Sequence, residues 1–162
     1  MVTRFFRHVL STPLGMRRAF PAPSLERIER EIAHAERDHH VEIRFAVEGA
    51  LDVLPLLRGQ TARARAIEVF SDLRVWDTEE NNGVLIYLLL ADRDVEIVAD
   101  RGVSRIEDWP RICREMETRL ARSDYEGAII EGIRSIARVL AAHVPARRAS
   151  AGRMPDQPVL IG

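Results

Sequence analysis

Residues 83–91, Gly-Val-Leu-Ile-Tyr-Leu-Leu-Leu-Ala, constrain this fold more than any other stretch of the chain. The run carries no charge and falls far short of the ~20 residues that a membrane-crossing helix needs. Polar residues bound it, from Trp76 to Asn82 on one side and Asp92 and Arg93 on the other. Such a run predicts a central β-strand covered on both faces. From Asp94 onward the pattern alternates, with Val95, Ile97 and Ala99 on one face. The short connection between the two segments demands an antiparallel hairpin.

Other elements fall around this pair. Ser24 reads as a helix N-cap, Glu26 suits the positive helix start, and Leu25, Ile28, Ile32 and Ala35 recur at helical spacing to about His39. Val41, Ile43, Phe45 and Val47 alternate with Glu42, Arg44, Ala46 and Glu48, the period of a strand, which Gly49 ends. A connection containing Pro55 leads to a helix over residues 61–74, whose apolar stripe is Ala62, Ala66, Val69, Phe70 and Leu73. Asp108 can cap a helix carrying Trp109, Ile112, Met116 and Leu120. Asp124 can cap a last helix with Tyr125, Ile129, Ile133, Ile136 and Leu140, which Pro145 stops. The order predicts the α/β class, a three-layer α/β/α sandwich around a small mixed sheet of three or four strands that contains the hairpin. Residues 1–23 read as a basic arm, 24–145 as the domain and 146–162 as a flexible tail.

Charge narrows the function. All 24 basic residues of the 162 are arginine, so lysine Schiff-base chemistry and a phosphate-loop lysine are excluded. The net charge of −1 conceals +4 before Glu26, +2 after Pro145 and −7 between them. An acidic body with 6% aromatic residues does not suit a nucleic-acid groove. It suits a cation or a basic partner. The single cysteine, Cys113, lies in a helical pattern beside Ile112 and Met116 and reads as a buried, inert thiol. Arg4 and Arg7 interrupt Phe5, Phe6, Val9 and Leu10, so no apolar signal segment is present and a cytoplasmic location is expected. The arm itself reads either as a short helix packed on the domain or as a peripheral contact with an anionic membrane surface.

Nucleotide-binding, hydrolase-elbow and zinc-protease motifs are absent, and the five histidines have no metal-ligand spacing. One constellation remains, Trp-Asp-Thr-Glu-Glu-Asn-Asn-Gly over residues 76–83 together with Ala-Asp-Arg-Gly over 99–102. In a hairpin the start of the first strand and the end of the second share an edge, so Asp77, Asn82 and Asp100 are expected to converge. Carboxylate and amide oxygens without thiols or imidazoles suit calcium, and magnesium less well. Structural roles compete: Asn82-Gly83 as a turn, Asp77 and Thr78 as a cap, Asp100 as a partner for Arg101 or Arg105. The opposite edge, with Glu48, Asp92 and Asp94, is the rival, but a tight hairpin there is expected to leave little room.

The run from Asp77 to Val103, followed by Trp109 and by Tyr-Glu-Gly-Ala-Ile-Ile-Glu-Gly-Ile-Arg-Ser-Ile before the terminal helix, resembles the TPM domain family. That family includes thylakoid-lumen proteins linked to photosystem II repair and many bacterial proteins. The resemblance covers about residues 24–145. It implies an α/β/α sandwich, calcium binding as in some members, acid-phosphatase activity as claimed for a plant member, and a membrane-protein partner of the LemA type. It carries over Asp77, Asn82 and Asp100 as the family's acidic and amide positions. Three functions are therefore expected: a non-enzymatic binding or assembly module with a Ca2+ site; a metal-assisted phosphatase in which Asp77 and Asp100 hold the cation and Arg101 is the nearest phosphate clamp; or an adaptor at a membrane surface, held by the arm.

Overall fold

The computed structural model describes Arg4, His8 and residues 13–39, 42–143 and 155–161. Phe5, Phe6, Val9, Leu10 and Val41, named above, lie outside the described residues, as does most of the expected tail. Ten elements follow in order: α1 (Pro13–Ala19), α2 (Ala22–His39), β1 (Glu42–Glu48), α3 (Val53–Leu57), α4 (Ala62–Asp72), β2 (Gly83–Leu89), β3 (Asp94–Ala99), α5 (Trp109–Ala121), α6 (Tyr125–His143) and β4 (Val159–Ile161).

The apolar run becomes the centre of the sheet because it has no polar face to offer water. β2 pairs with β1 in parallel, Glu42 opposite Gly83, and with β3 antiparallel, Val84 opposite Ala99, in the strand order β3-β2-β1-β4. Alternate residues then serve two cores. Val84, Ile86 and Leu88 pack with Ile28 and Ile32 of α2, Ile112 and Met116 of α5, and Ile129 and Ile133 of α6. Leu85, Tyr87 and Leu89 pack with Ala62, Ala66 and Val69 of α4. Helices on both faces of a mixed sheet make the expected α/β sandwich. Every residue of β2 from Val84 to Leu89 is fully buried, each aliphatic side chain contributing about 1.5–3 kcal/mol.

Three local readings change. α2 starts at Ala22, and the Pro21 carbonyl accepts from Ser24 and Leu25 N–H, so Ser24 lies inside the first turn. Its hydroxyl instead donates to Glu126 at 2.6 Å. Proline is tolerated at Pro23 because first-turn N–H groups have no helical acceptor. Asp108 occupies the N-cap position of α5 in a helical conformation without a capping bond, because its carboxylate accepts from Arg111 at 2.7 Å. Asp124, by contrast, caps α6 as expected, accepting from Gly127 N–H at 3.1 Å.

β1 departs from its alternating pattern. All seven residues are buried, Glu42, Arg44 and Glu48 included. The second helical layer covers what sequence periodicity reads as a wet face. Part of the expected tail also has structure: Val159–Ile161 pairs in parallel with Ala46–Glu48. Composition conceals this strand, since Pro155 and Pro158 precede only three branched residues. Val159 and Ile161 earn their order by packing on the α4-side core.

Candidate functional site

β1 and β2 begin, and β3 ends, at one edge, the amino rim. The hairpin puts Asp100 there: its N–H donates to the Gly83 carbonyl at 2.8 Å, extending the β2–β3 ladder by one step. By register Glu42, Gly83 and Asp100 form a row on the α4 side of the sheet. Gly83 is required at the middle of that row. A Cβ on it would stand 1.9 Å from the Val75 carbonyl oxygen, so the 75–83 loop can close over the strand only where a side chain is missing. Gly102 performs the same service on the other side. A Cβ there would lie 2.5 Å from the Asn81 carbonyl oxygen and 3.1 Å from that of Glu80. The two loops are thus pressed together, and Gly102 N–H donates to Asn81 O at 3.0 Å.

Asn82 and Asp100 are both buried at this rim, whereas the Asp77 side chain is exposed on the turn that follows α4. Asp100 Oδ1 accepts from the Arg101 N–H at 2.7 Å. Its Oδ2 is buried with no hydrogen-bond partner. The Arg101 guanidinium turns away, with Nε donating to Asn81 Oδ1 at 2.9 Å, so it ties the two loops together rather than pairing with Asp100. An orphaned carboxylate oxygen in a buried position costs on the order of 1–3 kcal/mol or more unless something outside the protein satisfies it. Asn82, Asp100 and the nearby Glu80 and Asn81 carbonyls are hard oxygen donors, the chemistry that calcium accepts. Among the described residues no three His, Cys, Asp or Glu side chains are grouped to hold a metal ion. The residues present therefore fit a cation through one buried carboxylate, supplemented by neutral oxygens. Sequence reading passed over Glu42, whose place on the rim comes from the parallel β1–β2 register, which one sequence does not reveal.

The opposite, carboxyl rim is less blocked than the hairpin suggests. A cavity of about 530 Å³ opens beside it, lined by Glu48, Asp52, Arg58, Gln60, Thr61 and Arg65 among others. It exists because the chain leaving β1 turns aside through α3 before α4 begins. At its inner wall Glu48 accepts from the Tyr87 hydroxyl at 2.5 Å and from Arg65 Nε at 2.9 Å. Burial, then the bond to Glu48, pushes the Tyr87 phenol far up, and the Glu48 bond likewise raises Arg65. The hairpin's Asp92 is covered by the arm: Arg4 donates to it at 2.7 Å, and His8 Nε2 stands 3.1 Å away while Leu51 N–H donates to His8 Nδ1 at 2.9 Å. Burial opposes ionisation of Asp92, but the bonds to Arg4 and His8 outweigh it and hold the carboxyl below its ordinary range. Cys113 behaves as its surroundings dictate, with burial pushing the thiol up to about 12, away from nucleophilic use.

No described helix is long and apolar enough to cross a membrane. Compared with known proteins, residues 18–139 match the family model described as the TPM domain. The fold is similar to the solved NMR structure of the BA42 protein from the psychrophilic bacterium Bizionia argentinensis, with a TM-score of 0.75 and 22% identity over 87% of this chain and 94% of that one. No curated protein matches the chain.

Proposed function

Because this chain belongs to the TPM domain family, we propose that it is a binding module of that family, one that takes a divalent cation, calcium first, at the amino rim of its sheet. The observation that carries this reading is the Asp100 Oδ2 atom, buried without a partner between two loops whose carbonyl and amide oxygens surround it. Asp100 and Asn82 hold the cation in this reading, and the exposed Asp77 carboxylate supplies the third protein ligand from the adjacent turn. Arginine does not compete for Asp100, since Arg101 is committed to Asn81. A cation neutralises the buried charge and fixes the 75–83 and 100–103 loops relative to one another, so binding acts as a latch on the rim.

One buried carboxylate makes a weak site. Calcium affinity rises with the number of charged ligands, and so sparse a set corresponds to dissociation constants on the order of 10⁻³ M. Calorimetric titration of metal-free protein with calcium, alongside thermal unfolding in millimolar calcium, tests the reading. The wild type binds and its unfolding temperature rises, Asp100→Asn abolishes both, and Asp77→Ala weakens them. Absence of heat and of any calcium-dependent shift in the wild type overturns it.

A further inference from the structure

We propose that the outer edge of β1 is a docking edge for an extended segment of a partner protein, which the chain's own β4 occupies in its absence. The ladder itself shows the vacancy in this arrangement. β1 has seven residues, Glu42–Glu48, yet β4 pairs only with Ala46, Val47 and Glu48. The strand stops there because Pro158 has no N–H to continue the ladder and Pro155 repeats the interruption. More than half of the β1 edge is left without a paired strand, and unpaired edges are where added strands bind.

β4 is held lightly. Val159 and Ile161 pack on the α4-side core but remain partly exposed, and Leu160 between them is 44% exposed. Gly49 N–H donates to Ile161 O at 3.2 Å, at the very end of the strand. Upstream, the Arg44 guanidinium donates to the Pro155 carbonyl, and Asp156 faces the buried Glu36 carboxyl, so two acids oppose each other under the segment. The matched family region ends at residue 139, and both hydrophobic cores are built chiefly from residues before that point. The sheet and its helices therefore do not depend on β4 for their cores.

The occupant is set by what the edge recognises. It runs parallel to β1, places branched aliphatic residues at alternate positions on Val159 and Ile161, and presents a backbone carbonyl to Arg44. It lacks proline at the positions of Pro155 and Pro158, so it pairs along the four β1 residues that β4 leaves open. A second copy of the chain brings only the same three-residue strand, and that strand is tethered in place at an effective concentration on the order of millimolar. A proline-free partner segment gains ladder hydrogen bonds that the tethered strand cannot make.

The test uses full-length protein and a fluorescein-labelled peptide copying residues 154–162 with Pro155→Thr and Pro158→Thr. It is expected to bind the wild type saturably, to bind the full-length Ile161→Asp variant at least tenfold more tightly, and to lose binding when it carries Ile161→Asp itself. Equal affinity for the two proteins, or binding indifferent to the peptide's Ile161→Asp change, overturns the proposal. Amide exchange on the wild type provides an independent reading, whatever the folding of the variant. Gly49 N–H is expected to exchange at least a hundredfold faster than Leu90 N–H, which donates to Glu48 O. Exchange of both only through global unfolding refutes a detachable strand. A concentration-dependent wild-type dimer that Ile161→Asp abolishes assigns the edge to a second copy and overturns the partner assignment.

Discussion

Replacing Glu36 by glutamine is expected to make the protein more stable at neutral pH and to remove much of its pH dependence. Glu36 is 1% exposed, on the last turns of α2, and its Oε1 accepts from Ile43 N–H at 2.9 Å. Burial pushes its carboxyl up to about 8, with the Asp156 and Glu42 charges adding to the rise and the Ile43 bond opposing it. Arg44 faces the same carboxyl, and its own ionisation is lowered by burial. The folded state thus keeps a proton that the unfolded chain releases near its ordinary value of 4.5. Between those limits the folded protein binds more protons, so stability falls as pH rises, by about 1.4 kcal/mol per unit from this group alone. From pH 5 to pH 7 the loss comes to about 2–3 kcal/mol. Glutamine keeps the acceptor for Ile43 N–H and cannot ionise. Urea denaturation of wild type and Glu36→Gln at pH 5, 6, 7 and 8 checks this: the difference between the two is expected to grow steadily in favour of the variant. Comparison at each pH cancels the contributions of Asp94, Glu96 and Glu117, whose carboxyls burial also raises. Parallel stability curves for the two proteins refute the reasoning.

Gly83→Ala forces a methyl group into the Val75 carbonyl; a loss of about 2–3 kcal/mol or more is expected in denaturant unfolding, with the 75–83 loop losing amide protection first. Tyr87→Phe removes the hydroxyl donor from the buried Glu48 carboxylate while Arg65 remains, so a cost of about 1–2 kcal/mol is expected from the same measurement. Asp124→Ala deletes the cap on α6 and the contact with Arg119; about 1 kcal/mol is expected, and a loss below the error of unfolding curves counts against the cap.

How much of this was legible in the chain depends on the range of the interaction involved. The hairpin was legible because an uncharged run, two polar residues and an alternating strand are adjacent in sequence, and the hairpin alone carries Asp100 to the beginning of β2. The helical stripes of α4, α5 and α6 were legible for the same reason, as periodicity is local. Asp77 illustrates the limit. Connectivity places its loop at the rim, but the exposure of its side chain depends on how residues 74–82 turn, which the Val75–Gly83 contact governs.

The sequence by itself determined the α/β sandwich, the central strand and the edge at which Asn82 and Asp100 are buried, since each follows from patterns within a few residues. Tertiary structure alone decided that β1 is covered on both faces, that Glu42 stands in the same row as Asp100, that the opposite rim holds a cavity, and that residues 159–161 return to close part of an edge. Those outcomes depend on partners such as Glu48 and Arg65, or Arg44 and Pro155, that are distant along the chain. Burial of a charged side chain is stable only when its partner arrives, and no periodicity records which partner that is.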